Sequence, residues 1–272
     1  MGRTFATSYL AGEPAAQPFF APGFRDPAAR MARTRLAAER ATPAPLLEVL
    51  AEQQARLPAS AARQANLAAL SSGRTAIVAT GQQVGLFLGP LYSFYKAASA
   101  IAVARALQAE SGVRCVPLYW LQTEDHDFVE IRTSTVADRE GEPLRLTLAD
   151  EAAGQGRVSI AHRVLPAQVA PLLDTLAEAL PPGPAADETL GLLRDCYRPG
   201  VGLAAAFASA LASVFADDGL LIFDPREARV AALAAPIYRS CVEDGASIEA
   251  RLKEREAALA SAGFDQQVPI RE

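Results

Sequence analysis

The residues best suited to chemistry lie in one acidic segment, "TEDHDFVE", which directly follows the apolar stretch "VRCVPLYWLQ". Four carboxylates, those of Glu124, Asp125 and Asp127 with Glu130 close behind, surround His126, one of the chain's two histidines. Crowded carboxylates raise one another's pKa, and a neighbouring carboxylate raises that of histidine. Such groups can act as a general base toward an amine or form part of a magnesium site. The alternative is a solvated acidic loop. We predict catalytic roles for Asp125, His126 and Asp127.

The second candidate segment, "TGQQVGLFLGPLY", follows the apolar run "TAIVA". Its two amides, Gln82 and Gln83, supply donors and acceptors that a plain glycine turn does not need. Gly89 precedes a proline that suits the first turn of a helix, where free N–H groups can bind phosphate or carboxylate. Lys96 lies two turns further along that helix, although a lone helical lysine is commonly solvated, and the glycines alone could simply shape a turn. The predicted substrate-binding residues are Thr80, Gly81, Gln82, Gln83, Gly89, Tyr92, Lys96, Trp120 and Glu124.

The positions of histidine and cysteine argue against zinc. Cys115, Cys196 and Cys241 are far apart and form no C-x-x-C pair, so neither a disulfide framework nor a thiolate site is expected. His126 has no second histidine or cysteine nearby. His162 lies in a different stretch, and we expect it to be structural.

The elements that must position these residues alternate between apolar strands and helices. We predict parallel strands near residues 75–80, 113–121 and 219–223, with a helix over 90–109 crossing between the first two. This order is typical of an α/β fold with a Rossmann-like, doubly wound parallel sheet. Pro117 is expected near the start of its strand or at a sheet edge.

In such a sheet the loops at the carboxyl ends of the strands meet in one crevice. The segments "TGQQ", "EDHD" and "DPRE" therefore line one predicted site. Asp224 and Arg226 are weaker candidates, because Asp224 can simply cap a helix that begins at Pro225. Neither nucleotide-binding glycine fingerprint is present. The side chains expected to share the crevice are those of Gln82, Gln83, Tyr92, Asp125 and His126.

We divide the chain into four stretches. The N-terminal arm is predicted to be irregular and packed by Phe19, Phe20 and Phe24, and helices that prolines interrupt follow it. Residues 131–165 alternate weakly ("LRLTL", "GRVSIAHRV") and predict a small antiparallel insertion, and 166–215 are helical. The boundaries are 1–70 for the arm and helices, 71–130 for the first half of the core, 131–215 for the inserted segment and helices, and 216–272 for the last core strand and helices.

Composition limits the classes of function. Half of the 272 residues are hydrophobic and 21% are charged, which indicates a globular protein. A net charge of −5 argues against general affinity for nucleic acid or anionic lipid. No apolar run is long enough to span a bilayer and no leader peptide opens the chain, so a cytoplasmic location is expected.

Three blocks carry a resemblance to a known family. "TGQQVGLFLGPLYSFYKAASAI", "VPLYWLQTEDHDFVEI" and "GLLIFDPRE" resemble the motif series of the cysteine-adding enzymes of bacillithiol biosynthesis, the BshC family. The resemblance covers nearly the whole chain. It implies a Rossmann-like core similar to class I aminoacyl-tRNA synthetases, with inserted segments and a C-terminal coiled coil. It also implies addition of cysteine to glucosaminyl-malate, the last step in making bacillithiol, by a full-length homodimer.

Some features of the sequence depart from that pattern. Members of the family continue for about as much again beyond "VPIRE", so we expect this chain alone to lack ligase activity. "GPLY" stands where the synthetases carry their HIGH signature, and no KMSKS-like segment appears. ATP and magnesium are therefore expected only by analogy. Two alternatives remain, another synthetase-like nucleotidyltransferase and a non-catalytic small-molecule-binding domain.

Overall fold

A computed structural model describes residues 4–20, 25–150, 158–266 and 268. Two compact units are present, one formed by residues 34–231 and the other by 1–33 with 232–272. The helices are α1 Phe5–Ala11, α2 Pro27–Ala38, α3 Ala44–Ala55, α4 Ala61–Ser71, α5 Leu91–Ser111, α6 Phe128–Ile131, α7 Val169–Ala179, α8 Pro184–Cys196, α9 Leu203–Val214, α10 Ala228–Glu243 and α11 Gly245–Ser261. The strands are β1 Thr75–Gln82, β2 Arg114–Leu121, β3 Thr133–Ala137, β4 Pro143–Thr147 and β5 Leu221–Phe223.

The larger unit contains a three-stranded parallel sheet in the order β1-β2-β5. Pairing of β1 with β2 runs without interruption from Thr75 opposite Arg114 to Gln82 opposite Leu121. Helix α5 forms the crossover between these two strands. The prediction of an α/β fold with adjacent parallel strands is therefore confirmed, and both strands end at the same edge of the sheet.

Helices cover both faces of this sheet. On one face, Ala104 of α5 packs with Ala76 and Cys115, and the ring of Phe207 on α9 lies 6.1 Å from that of Tyr119. The small alanines let the helix approach the sheet closely. On the other face, α3 and α4 join the strands in an apolar cluster made of Leu50, Leu70, Val116, Leu118, Leu221 and Phe223.

Helix α5 follows from its sequence. The segment "KAASAIAVARALQAE" is rich in alanine and other strong helix formers. Ala97, Ile101 and Ala104 recur at spacings of three and four, which places them on the one buried face. Gly112 adopts a left-handed conformation, with φ of 71°, and ends the helix.

The outer edge of β5 is paired by side chains instead of by another strand. Gln54 accepts from the N–H of Ile222 at 3.1 Å and donates to its carbonyl oxygen at 2.7 Å. Gln53 makes the same two bonds to Asp224, at 3.0 and 2.9 Å. Residues two apart in a strand direct their peptide groups to the same side. Two consecutive glutamines of α3 thus satisfy the backbone at the end of β5.

Pro117 is the fourth of the eight residues of β2, the central strand, so of its two predicted positions, near the strand start or at a sheet edge, the edge is wrong. The physical reason for its tolerance is the short partner strand, because β5 pairs with β2 only from Leu118 onward. At Pro117 the side of β2 that faces β5 has no registered partner among the described residues.

The inserted segment is antiparallel only in its first part. Strands β3 and β4 form a hairpin in which Thr133 pairs with Thr147. The second alternating segment, "GRVSIAHRV", was predicted as strand, and that prediction is wrong for its described residues. Ile160–His162 form a 3₁₀ turn, and Val164 makes a single bridge to Gly202. Gly156 and Arg157 lie outside the described residues.

The N-terminal arm contains a helix, α1, where an irregular segment was predicted. A threonine capping box starts α1, and Gly12 ends it with a φ of 78°. Phe19 packs as expected, with its ring 5.8 Å from that of Phe5 and 6.4 Å from that of Phe264. Phe24 lies outside the described residues. No helix in the described ranges has the length and apolar character needed to cross a membrane.

We expect Gln54→Met to destabilise the protein by about 2–4 kcal/mol, since it leaves a buried N–H and a buried carbonyl of Ile222 unpaired. The measurement is urea unfolding followed by circular dichroism. Gln64→Met, at an exposed position of α4, is the matched control and should change stability by less than about 0.5 kcal/mol. Equal stability of the two variants would show that the amide pairing contributes nothing.

Candidate functional site

Gln83 joins the loops that follow β1 and β2. Its Nε2 donates to Asp125 Oδ2 at 2.7 Å and to Glu130 Oε2 at 2.8 Å. The backbone adds a further link, because Gln122 N–H donates to the carbonyl of Gln82 at 3.1 Å. One amide group therefore holds two carboxylates at the carboxyl edge of the sheet.

Lys96 forms the cationic end of the same network. Its Nζ donates to the carbonyl oxygen of Gly81 and to Gln82 Oε1, both at 2.8 Å. The ammonium lies 4.8 Å from the centroid of the Tyr92 ring, and Gln82 Nε2 reaches Gln83 Oε1 at 3.4 Å. Within the described ranges no carboxylate lies at salt-bridge distance from Lys96. The network thus separates one positive charge from two negative ones through a pair of amides.

Asp125 is held in its ionised form. Its pKa is lowered, first by the hydrogen bond from Gln83 and then by the N–H groups of Asp127 and His126, while partial burial opposes the change. Those N–H groups lie 3.2 and 2.7 Å from Oδ1. The expectation that crowding raises the pKa is wrong for Asp125, because the N–H donors outweigh burial and no neighbouring carboxylate is among the causes. Asp125 is therefore suited to hold a cation rather than to remove a proton at neutral pH.

The exposed ring of His126 is the remaining basic group of this loop. Its Nδ1 lies 3.8 Å from Asp125 Oδ1. Asp127 has a structural contact. Its Oδ1 accepts from the N–H of Glu130 at 3.2 Å and caps the short helix α6. His126 therefore stays accessible to a substrate while Asp127 fixes the chain beyond it.

The glycines shape the loop between β1 and α5. A Cβ at Gly85 would lie 1.8 Å from the carbonyl oxygen of Gly89, a distance that only glycine avoids. Phe87 and Leu88 have positive φ values of 51° and 62°. The buried hydroxyl of Tyr197 accepts from the N–H of Leu88 at 3.1 Å. This fold of the loop fixes where β1 ends and where α5 begins.

The third loop, "DPRE", is tied to the second. Thr123 Oγ1 donates to Asp224 Oδ1 at 2.5 Å, and the same oxygen accepts from the N–H of Arg226 at 3.0 Å. Helix α10 begins at Ala228, so Asp224 stabilises the turn after β5 instead of capping a helix at Pro225. All three strand-end loops therefore occupy one edge of the sheet.

Four of the predicted substrate-binding residues lie outside this network. Trp120 points to the opposite face of the sheet from its neighbour Tyr119, and its backbone carbonyl and Cβ pack against Gly81. Gly89 lies beside Ser134 of β3. Across the described part of the chain, the side chains of Thr80 and Glu124 make no hydrogen bond to the network.

Glu130 was expected in the acidic cluster without an assigned role, and it joins the network through Gln83. Tyr197 was not singled out from the sequence. Tyr197 carried no local signal, since it lies 109 positions from its partner Leu88. In the described ranges, no group of three or more histidine, cysteine or acidic side chains could hold a metal ion.

Comparison with known proteins identifies the family. The profile described as "Bacillithiol biosynthesis BshC, N-terminal Rossmann-like domain" matches residues 2–272. The chain belongs to this family. The resemblance seen in the three sequence blocks is thereby confirmed, and the parallel sheet is that of a Rossmann-like domain.

Curated relatives in the BshC family carry the name "Putative cysteine ligase BshC". The protein of Salinibacter ruber is 33% identical over 245 residues, which are 89% of this chain and 44% of the relative. The protein of Koribacter versatilis is 36% identical over 224 residues, 82% of this chain and 40% of the relative. The protein of Chloroherpeton thalassium is 30% identical over 270 residues, which are 98% of this chain and 48% of the relative. The chain spans less than half the length of these relatives.

We expect Gly85→Ala to destabilise the protein by about 3 kcal/mol or more, because its Cβ would overlap the carbonyl of Gly89. Gly191→Ala is the matched control. Gly191 lies inside α8 with nothing within 4 Å of an added Cβ, so this change should stabilise by about 0.5–1 kcal/mol. Urea unfolding measures both, and a small effect at Gly85 would contradict the loop geometry.

We expect Gln83→Met to raise the pKa of Asp125 toward its ordinary value, since the strongest cause of the lowering is removed. A lowered folded-state pKa stabilises the fold above the unfolded pKa, and this stability is lost as pH falls through the folded pKa. The variant should therefore lose less stability on acidification than the native chain. Carboxyl ¹³C titration and urea unfolding at neutral and acidic pH measure both effects, and an unchanged pKa for Asp125 would refute the assignment.

Proposed function

We propose that this chain forms the substrate-binding Rossmann-like part of a ligase that joins the carboxyl group of cysteine to the amine of glucosaminyl-malate. The family and the name of its curated relatives support this reading. Because the relatives are more than twice as long as the matched region, the activity of the whole protein belongs to the proposal.

The observation that carries the proposal is the separation of charge in the network. Free cysteine is a zwitterion, with an ammonium and a carboxylate on one carbon. Lys96 offers a cation whose third N–H is left over after its two acceptors. Asp125, ionised and exposed over about a fifth of its side chain (21%), offers the matching anion beside Glu130. The two amides between them keep both ends in place.

Each group then has a separate part in amide formation. Lys96 binds and orients the cysteine carboxylate. Asp125 holds the cysteine ammonium in its protonated form, which prevents that amine from attacking a second cysteine. The attacking amine of the sugar must lose a proton, and His126 is the accessible base next to the network. Catalysis also requires exclusion of water and a fixed attack geometry, which the three loops alone do not supply.

Activation of the carboxylate needs an energy source, and by analogy with class I aminoacyl-tRNA synthetases we assign it to ATP. When bound, ATP supplies adenylate activation of the carboxylate. The chemistry of the site fits, because Lys96 can donate to a phosphate oxygen as well as to a carboxylate. Magnesium is commonly held by one or two carboxylates together with substrate phosphates, so it would enter with the nucleotide.

Titration with L-cysteine, cysteamine and 3-mercaptopropionate tests the proposal, since the last two keep the thiol and each lack one charge. We expect cysteine to bind at least about tenfold more tightly than either analogue, as expected for one charge-assisted hydrogen bond. Lys96→Met should abolish the preference for cysteine over cysteamine, which lacks the carboxylate. Asp125→Asn should abolish the preference for cysteine over 3-mercaptopropionate, which lacks the ammonium. Calorimetry gives the affinities.

Lys253→Met removes an exposed lysine of α11 that pairs with Glu249 and is the matched control. It should leave all three affinities unchanged. Equal affinity for the three thiols would refute recognition of the zwitterion. Adding ATP, magnesium and glucosaminyl-malate, with mass spectrometry of the products, then separates a ligase from a binding domain.

A further inference from the structure

A cavity of about 310 Å³ lies beside the acidic loop and shares no residue with the network described above. Its size is at the lower end of the range of small-molecule sites. The backbone of the 3₁₀ turn is anchored to that loop, because Ile160 N–H donates to Asp125 O at 2.8 Å and Ala161 N–H to Thr123 O at 3.0 Å. Apolar walls come from Phe128, Leu165, Pro166 and Leu203, and polar groups come from His162 and Arg163.

Arg163 lines this cavity and carries one donor without a partner. Its side chain is only 11% exposed, and its Nη1 donates to Asp150 Oδ1 at 2.6 Å. Its guanidinium lies 4.3 Å from the centroid of the Phe128 ring. Its Nε is buried and meets no acceptor among the described residues. Buried N–H groups are nearly always paired, so an orphan donor beside a cavity indicates an acceptor brought by a ligand.

A second cationic group stands at the rim. Arg226 Nη2 lies 3.2 Å from His162 Nε2, and His162 itself lines the cavity. An arginine always donates, so the imidazole accepts at Nε2 and carries its proton on Nδ1. In the part of the chain that the structure describes, the guanidinium of Arg226 forms no ion pair, although its backbone N–H donates to Asp224 Oδ1 at 3.0 Å. Among the described residues, the rim therefore carries one guanidinium without an ion pair, that of Arg226, in addition to the pair of Arg163 with Asp150.

We propose that this cavity binds a small organic carboxylate. Guanidinium groups recognise planar carboxylates through parallel N–H donors, and Nε of Arg163 is a donor with no acceptor among the described residues. The apolar walls suit the carbon skeleton of an organic acid better than a hydrated phosphate. On the proposed function, the ligand is the malyl group of glucosaminyl-malate, and this identification rests on that function.

The position of the cavity agrees with such a role. His126 and the 3₁₀ turn that carries His162 are both attached to the loop of Thr123 and Asp125. A carboxylate bound at Arg163 would therefore hold the acceptor next to the loop on which the candidate base is carried. Cysteine and acceptor then occupy two separate subsites.

The chain's two histidines allow a direct test. In the full chain labelled with ¹⁵N-histidine, L-malate should shift the ring signals of His162 saturably and leave those of His126 unchanged. The diamide of malate, which has no carboxylate, should shift neither. Arg163→Lys keeps a charge for Asp150 but loses Nε, and it should weaken malate binding about tenfold or more. Arg226→Gln, at the exposed rim, should weaken it by a smaller factor.

Arg194→Lys is the matched control, because Arg194 forms a comparable but exposed pair with Asp174 at 3.0 Å. It should bind malate as the native chain does. Absence of saturable malate binding, shifts confined to His126, or native affinity in Arg163→Lys would each overturn the assignment. Titration of the same sample with cysteine should shift the ring signals of His126 instead of those of His162. Failure of the proposed function therefore appears as an absent His126 shift with cysteine, and failure of the cavity assignment as an absent His162 shift with malate.

Discussion

The parallel pairing of β1 with β2 joins Thr75 to Arg114 at one end and Gln82 to Leu121 at the other. Since the two strands stop together, the loops that follow them begin side by side. Gln83 and Asp125 are 42 positions apart in the chain, and yet Gln83 Nε2 lies 2.7 Å from Asp125 Oδ2. A slip of one residue would exchange the faces of a whole strand and separate these groups. The register is therefore the constraint on which the charge-separated network depends.

Consecutive glutamines appear twice at this sheet, with different physical tasks. Gln53 and Gln54 face the peptide groups of β5, and each amide makes the two bonds that a neighbouring strand would make. Gln82 and Gln83 face charged side chains, where the same amide accepts from an ammonium or donates to carboxylates. The amide dipole serves both purposes because it has no charge of its own to be neutralised. The two pairs differ in the groups that they contact, backbone peptide groups in one case and charged side chains in the other. These contacts cannot be read from the sequence.

Local patterns were sufficient for the framework of this fold. Apolar runs that end in glycine or acidic residues predicted the three strands, and the alanine-rich segment predicted α5. Features that depend on distant contacts were not accessible. Pro117 is tolerated in a central strand because β5 is short. Ile160–His162 form a turn whose backbone bonds to the acidic loop, where strand was predicted. The direction of the pKa change at Asp125 depends on Gln83, a partner that only the register of the sheet brings close.

The acidic loop is bound both through a side chain and through its backbone, which limits its movement. Gln83 fixes its side-chain carboxylate, while the turn at Ile160 fixes the carbonyl of the same residue, Asp125. A loop bound on both sides does not need to reorganise when charge develops, which is the condition for electrostatic stabilisation of a transition state. The network and the turn that carries His162 are both attached to this one loop. Two ligands bound there would keep a separation set by the backbone between Thr123 and Asp127.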